Sequence, residues 1–160
     1  MVGTMRDEIS NSMKDALKAG DKVALSTIRL IAAALKDRDI TARGNGISEG
    51  ISDNDILMML QTMIKQRRES SVMYREGGRP ELAETEEQEI KIIEEFLPVQ
   101  LGKDEIQNAI KTAISKTNAI SVKDMGKVMG YLKKEYTGKM DFSQISAQVK
   151  EALMRVTNDG

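Results

Sequence analysis

The 160-residue sequence contains neither cysteine nor histidine, and this absence removes most common catalytic groups. Without thiols or imidazoles the chain has no disulfide, no cysteine nucleophile, no histidine base and no zinc site with nitrogen or sulfur ligands. Carboxylates, lysines, hydroxyls and the backbone remain for chemistry. The sequence therefore predicts no catalytic residue, no metal site and no cofactor, and it favours a binding or accessory role over that of an enzyme acting alone.

Long apolar runs are missing as well. No stretch of about eighteen apolar residues occurs, which is the length that a membrane-spanning helix needs. The first residues, MVGTMRDEIS, lack both the basic start and the apolar segment of a secretory signal. We therefore expect a cytoplasmic protein that does not enter a membrane.

Aromatic residues make up only 3% of the chain, and runs of β-branched residues are absent, so no strand is predicted. Apolar residues recur instead at helical spacing, as Met5, Ile9, Met13 and Leu17 do. The pattern predicts an all-α protein.

Capping and breaking residues divide the chain into helices. Gly20 ends the first helix, Asp21 caps the second and Ser52 caps the third, while Pro80 suits the first turn of a fourth that reaches Leu97. Three shorter amphipathic segments follow. We predict an N-terminal domain of about four helices over residues 1–98 and a small three-helix bundle over residues 99–160.

The two predicted domains differ in charge. Residues 1–98 hold 14 Lys and Arg against 18 Asp and Glu, a net charge of −4, whereas residues 99–160 hold 10 against 7, a net charge of +3. The two domains are therefore expected to meet different partners, or each other.

The segment KDMGKVMGYLKKEYTGKMD, residues 123–141, is the main candidate for a binding site. Its two Gly-Lys pairs do not form a nucleotide-binding P-loop, because no hydroxyl residue follows either pair and no strand precedes them. Its lysines do suit phosphate groups, and Tyr131 and Tyr136 are available to stack on bases. The alternative is a solvated lysine-rich helix with Tyr131 half buried, which the pattern alone favours somewhat.

A second basic turn, KQRRES over residues 65–70, has guanidinium groups that could hold a phosphate. The favoured interpretation is structural. Lys65 is expected to pair with Glu69 one helical turn later, and Arg67 and Arg68 are expected to face the glutamates of the next helix.

Two further features concern the glutamate-rich helix and its neighbours. Arg29 lies in an apolar stretch and must reach either water or a carboxylate, with Glu86 or Glu89 as the expected partner. Glu86 and Glu89, or Glu84 and Glu87, share a helix face and could form a metal or general-acid pair, but no second cluster completes such a site. Met58 and Met59 are candidates for a partner-binding surface.

Three segments together resemble the YqeY family, the free-standing relatives of the tail of the B subunit (GatB) of tRNA-dependent amidotransferases. They are LSTIRLIAAALKDRDI (25–40), MIKQRRESSVMYREGGRPELAETEEQEIKIIEEFLPVQL (63–101) and DMGKVMGYLKKEYTGKMD (124–141). The resemblance spans nearly the whole chain. It departs from the family at Met140, where members usually have a small residue, and at Phe142, where glycine or proline is frequent.

The resemblance implies a protein that handles tRNA, because the amidotransferase tail grips the tRNA body while the chemistry happens elsewhere. The family's glycine and lysine pattern falls on Gly126, Lys127, Gly130, Gly138, Lys139 and Asp141. With the neighbouring lysines included, the predicted nucleic-acid-binding residues are Lys123, Gly126, Lys127, Gly130, Lys133, Lys134, Gly138 and Lys139.

The resemblance also bears on partners and activity. It implies an aminoacyl-tRNA synthetase or an amidotransferase complex as a protein partner, with no DNA and no membrane. Carbon–nitrogen ligase activity with glutamine as amido donor is implied as an association, since the core that would activate a carboxylate with ATP is missing from the chain. The alternative is a protein-interaction module that docks on such a complex through the N-terminal domain.

Overall fold

The computed structural model describes residues 4–159, and in that part of the chain it contains α-helices and no strand. The helices are α1 Met5–Ala19, α2 Lys22–Gly44, α3 Asp53–Glu76, α4 Pro80–Glu94, α5 Lys103–Lys116, α6 Met125–Glu135 and α7 Phe142–Asp159. A 3₁₀ turn, Val122–Asp124, precedes α6. The predicted all-α class is confirmed.

The helices gather into two compact units, the first ending at Leu97 and the second beginning at Pro98. None of the helices in the described residues combines the length and the apolar character that crossing a bilayer requires.

Local sequence signals place the ends of the first four helices. Gly20 ends α1 in the left-handed conformation with φ 70°, which glycine adopts without strain. The side chains of Asp21 and Ser52 each accept a hydrogen bond from the backbone N–H three residues on, at the starts of α2 and α3. Pro80 occupies the first turn of α4. These four predicted ends are confirmed.

The first unit has one core to which all four helices contribute. α3 packs along α4, to which it is joined by a short turn, and α1 and α4 pack against α2. The buried residues that meet in this core include Ile9, Ile28, Ile31, Leu35, Ile56, Met59, Leu60, Ile64, Ile90 and Ile93. Helix α4 ends at Glu94 and not at the predicted Leu97. Phe96, which lies beyond that end, packs into the same core.

One carboxylate, that of Asp39, lies on the buried face of α2. Arg6 of α1 donates a hydrogen bond to it at 2.6 Å, and the backbone N–H of Ile51 donates another at 2.9 Å. Burial raises the pKa of Asp39, but the bonds from Arg6 and Ile51 outweigh burial, and the pKa lies below its ordinary value. The segment after α2 is thereby fixed to the α1–α2 pair.

Arg67 and Arg68 reach the glutamates of α4, as predicted. Arg67 donates to Glu89 at 2.7 Å, and Arg68 donates to Glu94 at 3.3 Å. Of the two outcomes expected for Arg29, the structure shows the first: Arg29 is exposed to water. The suggested pairing with a glutamate of α4 is wrong, and the Glu89 carboxylate is bound to Arg67. The stem of Arg29 points away from the core because its position on α2 is out of phase with the buried row.

Two other predictions for this unit are wrong. Among the ion pairs of the described residues, the one expected between Lys65 and Glu69 does not form. The Lys65 side chain is exposed. Met59 is fully buried, so of the two adjacent methionines only Met58 lies at the surface. Consecutive residues on a helix point about 100° apart, and here that rotation carries Met58 out of the buried face while Met59 stays within it.

The second unit has its own core, formed where α5, α6 and α7 meet. Its buried residues are Ala109, Ile110, Ala113, Ala119, Val128, Leu132, Met140, Ile145, Val149 and Leu153. Met140 is almost completely buried, and Phe142 packs against the same core. The two positions at which the sequence departs from the family pattern therefore hold large apolar side chains that fill this core.

Candidate nucleic-acid interface

Helix α6 carries most of the predicted nucleic-acid-binding residues, and the turn before it is well fixed. The Ser121 hydroxyl accepts the backbone N–H of Lys123 in the 3₁₀ turn. The Asp124 carboxylate accepts the backbone N–H of Ile120 at 2.9 Å, and this bond is the main reason that the pKa of Asp124 lies below its ordinary value. Asp124 is therefore ionised at neutral pH and holds the start of α6 in place.

The outward side of α6 is basic. Val128 and Leu132 are buried, and the residues that point the opposite way are exposed. We call this exposed side the α6 face; it consists of Gly126, Lys127, Gly130, Lys133 and Lys134. At 100° per residue the two glycines fall in the middle of the face, with Lys133 on one side and Lys127 and Lys134 on the other.

Gly126 and Gly130 leave a strip of bare backbone between these lysines. Apart from its chain neighbours and the backbone of its own helix, a Cβ atom built at either position would have no atom within 4 Å, so the packing of the protein does not require glycine there. Each glycine in an exposed helix interior costs about 0.5–1 kcal/mol relative to alanine. The fold thus gains nothing from the two glycines, while the helix backbone becomes accessible to a close approach from outside.

The other predicted residues lie on either side of α6. Lys123 is exposed in the 3₁₀ turn, and Lys139 is exposed in the turn that follows α6. The amine of Lys127 lies 3.9 Å from a carboxylate oxygen of Asp124, a long contact in which the lysine side chain remains mostly exposed. The lysine charges are therefore available to an anionic partner.

Gly138 has a different environment from the other predicted residues. It is buried with φ 78°, a conformation that suits glycine, and its carbonyl accepts a 2.6 Å hydrogen bond from the Gln100 amide. The backbone N–H of Leu101 donates to the carbonyl of Lys139 at 2.9 Å. Gly138 thus ties the turn after α6 to residues 98–101, and it presents no surface of its own.

The two tyrosines of this segment contribute to packing. Tyr131 and Tyr136 are both half buried, and both rings pack against the core of the second unit. This arrangement matches the half-buried Tyr131 that the sequence favoured over stacking on bases. The candidate interface is consequently basic and backbone-lined, without an exposed aromatic platform.

Two of the α4 glutamates considered from the sequence are bound to other side chains. Glu89 is bound to Arg67, and Glu87 accepts hydrogen bonds from Ser71 and Arg75. Burial, followed by the nearby Glu89 charge, raises the pKa of Glu86. No group of three or more acidic side chains in residues 4–159 is arranged to hold a metal ion.

Sequence reasoning missed the residues that hold the candidate interface together. Gln100 binds the carbonyls of both Pro98 and Gly138, and Asp124 binds the N–H of Ile120. Gln100 lies in the segment interpreted as a boundary, and nothing in its local sequence marks a contact 38 residues away. Asp124 did carry a signal, since an aspartate just before a helix often binds a backbone N–H.

Comparison with known proteins identifies relatives over most of the chain. A protein of Pyrenophora tritici-repentis, "Altered inheritance of mitochondria protein 41, mitochondrial", is 25% identical over 145 residues, which cover 88% of this chain and 76% of that protein. A protein of the same name from Lachancea thermotolerans is 33% identical over 94 residues, which cover 57% of this chain and 48% of that protein. The chain thus spans about half the length of the Lachancea relative.

A third relative, an uncharacterized protein of Schizosaccharomyces pombe, is 29% identical over 91 residues, which cover 56% of this chain and 69% of that protein. The family model described as "Yqey-like protein" matches residues 6–153, which include every helix of both units except the start of α1 and the end of α7. The chain belongs to the YqeY-like protein family.

Proposed function

We propose that this chain is an accessory protein that binds tRNA through its second unit and assists tRNA-dependent amidation without a catalytic site of its own. The single observation that carries the proposal is the α6 face, where lysines flank a strip of exposed helix backbone at Gly126 and Gly130. Lysines neutralise phosphates, and a helix without side chains admits a sugar–phosphate backbone at close range.

The contacts assigned by this proposal follow from exposure. Lys123, Lys127, Lys133, Lys134 and Lys139 contact phosphates, because each is exposed. Gly126 and Gly130 provide clearance for the RNA backbone. Gly138 acts indirectly, by shaping the turn that carries Lys139. Binding of this kind reads backbone shape and charge, so it discriminates among RNA sequences weakly.

The family resemblance supports the rest of the proposal. We propose that the four-helix unit and the three-helix unit are separate domains, the second of them similar to the tail of the amidotransferase B subunit. Association with a glutamine-dependent carbon–nitrogen ligase or with a synthetase would then place the bound tRNA near the enzyme. We propose the cytoplasm as the compartment, whereas the names of two relatives place those proteins in mitochondria.

The test measures the binding of total tRNA to the full chain at low salt, with fluorescence anisotropy as the readout. The variant Lys133→Glu with Lys134→Glu reverses two charges on the α6 face, and we expect its affinity to fall by about tenfold or more, which is about 1.4 kcal/mol. The matched control is Lys116→Glu with Lys150→Glu, which makes the same change of net charge on α5 and α7.

The control separates a local contact from general attraction. The proposal requires that the α6 variant lose much more affinity than the α5–α7 control. Equal losses in both variants would mean that only the net charge matters, and no tRNA binding by the unaltered protein at low salt would end the proposal. Circular dichroism of each variant verifies that the exposed substitutions leave the helices intact.

A further inference from the structure

The outward side of α2 carries a seven-residue repeat of which the first unit uses only the last member, Arg43, whose guanidinium donates to the Ser48 carbonyl at 3.3 Å. Four basic residues follow one another at intervals of seven and are all exposed; we call them the α2 basic row, Lys22, Arg29, Lys36 and Arg43. A second set of exposed residues lies beside this row, with spacings of three and four residues in alternation. We call it the α2 seam: Val23, Ser26, Leu30, Ala33, Asp37 and Ile40.

The α2 seam is distinct from the stripe that packs into the core. Ile28, Ile31 and Leu35 of the same helix are buried on the opposite side. In contrast, Leu30 remains 46% exposed and Ile40 remains 55% exposed. A spacing of three and four residues keeps a row of side chains on one side of a helix. Each repeat of seven residues extends about 10.5 Å along the helix axis. The α2 seam therefore has the arrangement of a coiled-coil face, and no helix within residues 4–159 covers it.

A groove opens at the C-terminal end of this seam. It has a volume of about 490 Å³ and lies between α2, the segment after it and the start of α3. Asp37 and Thr41 line it from α2, and the apolar side chains of Ile47 and Met58, both substantially exposed, line it from the other elements. The groove extends the apolar surface of the seam and can take the side chains of a bound segment.

We propose that the α2 seam binds an acidic amphipathic helix supplied by another protein. The apolar residues of that helix lie along the seam and reach into the groove, while its carboxylates pair with the α2 basic row. The four charges of the basic row favour an acidic partner over a basic one. Charged residues beside the seam of a coiled coil decide which partner helix it accepts. The proposed surface belongs to the first unit and does not depend on RNA binding by the second.

Two other occupants fit the surface less well. A second copy of α2 brings no acidic row: antiparallel pairing sets the basic row against itself, and parallel pairing sets it opposite Thr27, Ala34 and Thr41, which carry no charge. An RNA backbone would satisfy the basic row, but it would leave the apolar side chains of Leu30 and Ile40 and the groove uncovered. An acidic amphipathic helix satisfies both features.

The experiment uses the full chain and two labelled synthetic peptides of three heptads each. Both peptides have leucine at the two seam positions of each heptad; one has glutamate at the flanking positions and the other has lysine there. We expect the glutamate peptide to bind and the lysine peptide not to bind. In the variant Arg29→Glu with Lys36→Glu, affinity for the glutamate peptide falls by about tenfold or more, and the lysine peptide binds instead.

Two further variants complete the design. Leu30→Ser with Ile40→Ser removes apolar contact without a change of charge. We expect this variant also to bind the glutamate peptide with lower affinity. Lys14→Glu with Lys65→Glu makes the same charge change on α1 and α3, where both lysines are exposed, and leaves binding unaltered. All substituted residues are exposed, so circular dichroism should show unchanged helix content.

Several results would overturn the proposal. Equal binding of the glutamate and lysine peptides would do so, as would equal loss in the α1–α3 control. If the α2 variant instead abolished self-association in sedimentation equilibrium, the surface would belong to a second copy of the chain. If it weakened tRNA binding while neither peptide bound the unaltered protein, the basic row would belong to RNA.

Discussion

Arg6 and Asp39 form an ion pair that joins α1 to α2, with 2.6 Å between the guanidinium nitrogen and the carboxylate oxygen. The same carboxylate accepts the backbone N–H of Ile51, and Arg6 also donates to the Ile51 carbonyl at 2.9 Å. Two helices and the segment that follows α2 therefore depend on one buried carboxylate. Removal of any member leaves a polar group without its partner, which is costly inside a protein.

Gly50 is the residue whose replacement tests the packing around this pair. An alanine Cβ at Gly50 would overlap the Asp39 carboxylate and lie 2.9 Å from the Arg6 guanidinium. Gly46 is the matched control, because it also has a positive φ, but a Cβ there has no atom within 4 Å. Both alanine variants lose about 1–2 kcal/mol from backbone strain. We expect Gly50→Ala to lose about 1–2 kcal/mol more in urea unfolding; equal losses would show that the close approach does not matter.

The lowered pKa of Asp39 predicts how stability changes with pH. A carboxyl whose pKa is lower when folded contributes stability that is present above its ordinary value of 3.8 and is lost as the pH falls through the folded value. Asp39→Asn should therefore reduce the free energy of unfolding at pH 7 by about 1–3 kcal/mol. The difference from the unaltered protein should shrink steadily as unfolding is measured at pH values below 3.8. A difference independent of pH would contradict the ion pair.

The two ion pairs between α3 and α4 predict unequal effects, because they differ in burial. The side chains of Arg67 and Glu89 are 14% and 19% exposed, whereas those of Arg68 and Glu94 are 50% and 45% exposed. Glu89→Ala should destabilise the protein by about 3 kcal/mol, since it leaves a mostly buried guanidinium unpaired. Glu94→Ala should cost at most about 0.5 kcal/mol. Thermal unfolding of both variants measures the two losses of stability. Similar losses would contradict the difference in burial between the two ion pairs.

The glycines of the α6 face predict opposite changes in stability and in binding. Gly126→Ala with Gly130→Ala should raise the free energy of unfolding by about 1 kcal/mol, most of it from Gly130 in the helix interior, because alanine favours the helix and meets no neighbour. The same methyl groups should weaken tRNA binding, because they fill the clearance between the lysines. Urea unfolding and anisotropy on one preparation measure both quantities. A variant that is more stable and binds tRNA with unchanged affinity would remove the glycines from the interface.

The parts of the fold that follow from neighbouring residues could be predicted from the sequence. The caps at Asp21 and Ser52 and the end at Gly20 depend on interactions within a few residues, and they are confirmed. Which glutamate of α4 each arginine of α3 reaches could not be predicted in this way. It depends on the packing of α3 on α4, which brings Arg67 to Glu89.

The contact between Arg6 and Asp39 was also missed, although the sequence held a signal for it. Asp39 is in phase with Ile28, Ile31 and Leu35, so a helical wheel places a carboxylate on the buried face of α2. Such a position requires a partner, but the sequence does not say that Arg6 supplies it across 33 residues. On α6, pattern and resemblance selected Gly126 and Gly138 alike, and only the structure shows that one is exposed and the other buried.

The salt dependence of tRNA binding tests the central claim most directly. Each phosphate contact contributes about 0.7–0.9 to the slope of log affinity against log salt concentration, so three to five lysines predict a slope of about −2 to −4. Lys133→Glu with Lys134→Glu should make that slope shallower by about 1.4–1.8. A slope near zero for the unaltered protein, or a slope that the α6 variant does not change, would contradict tRNA binding through the α6 face.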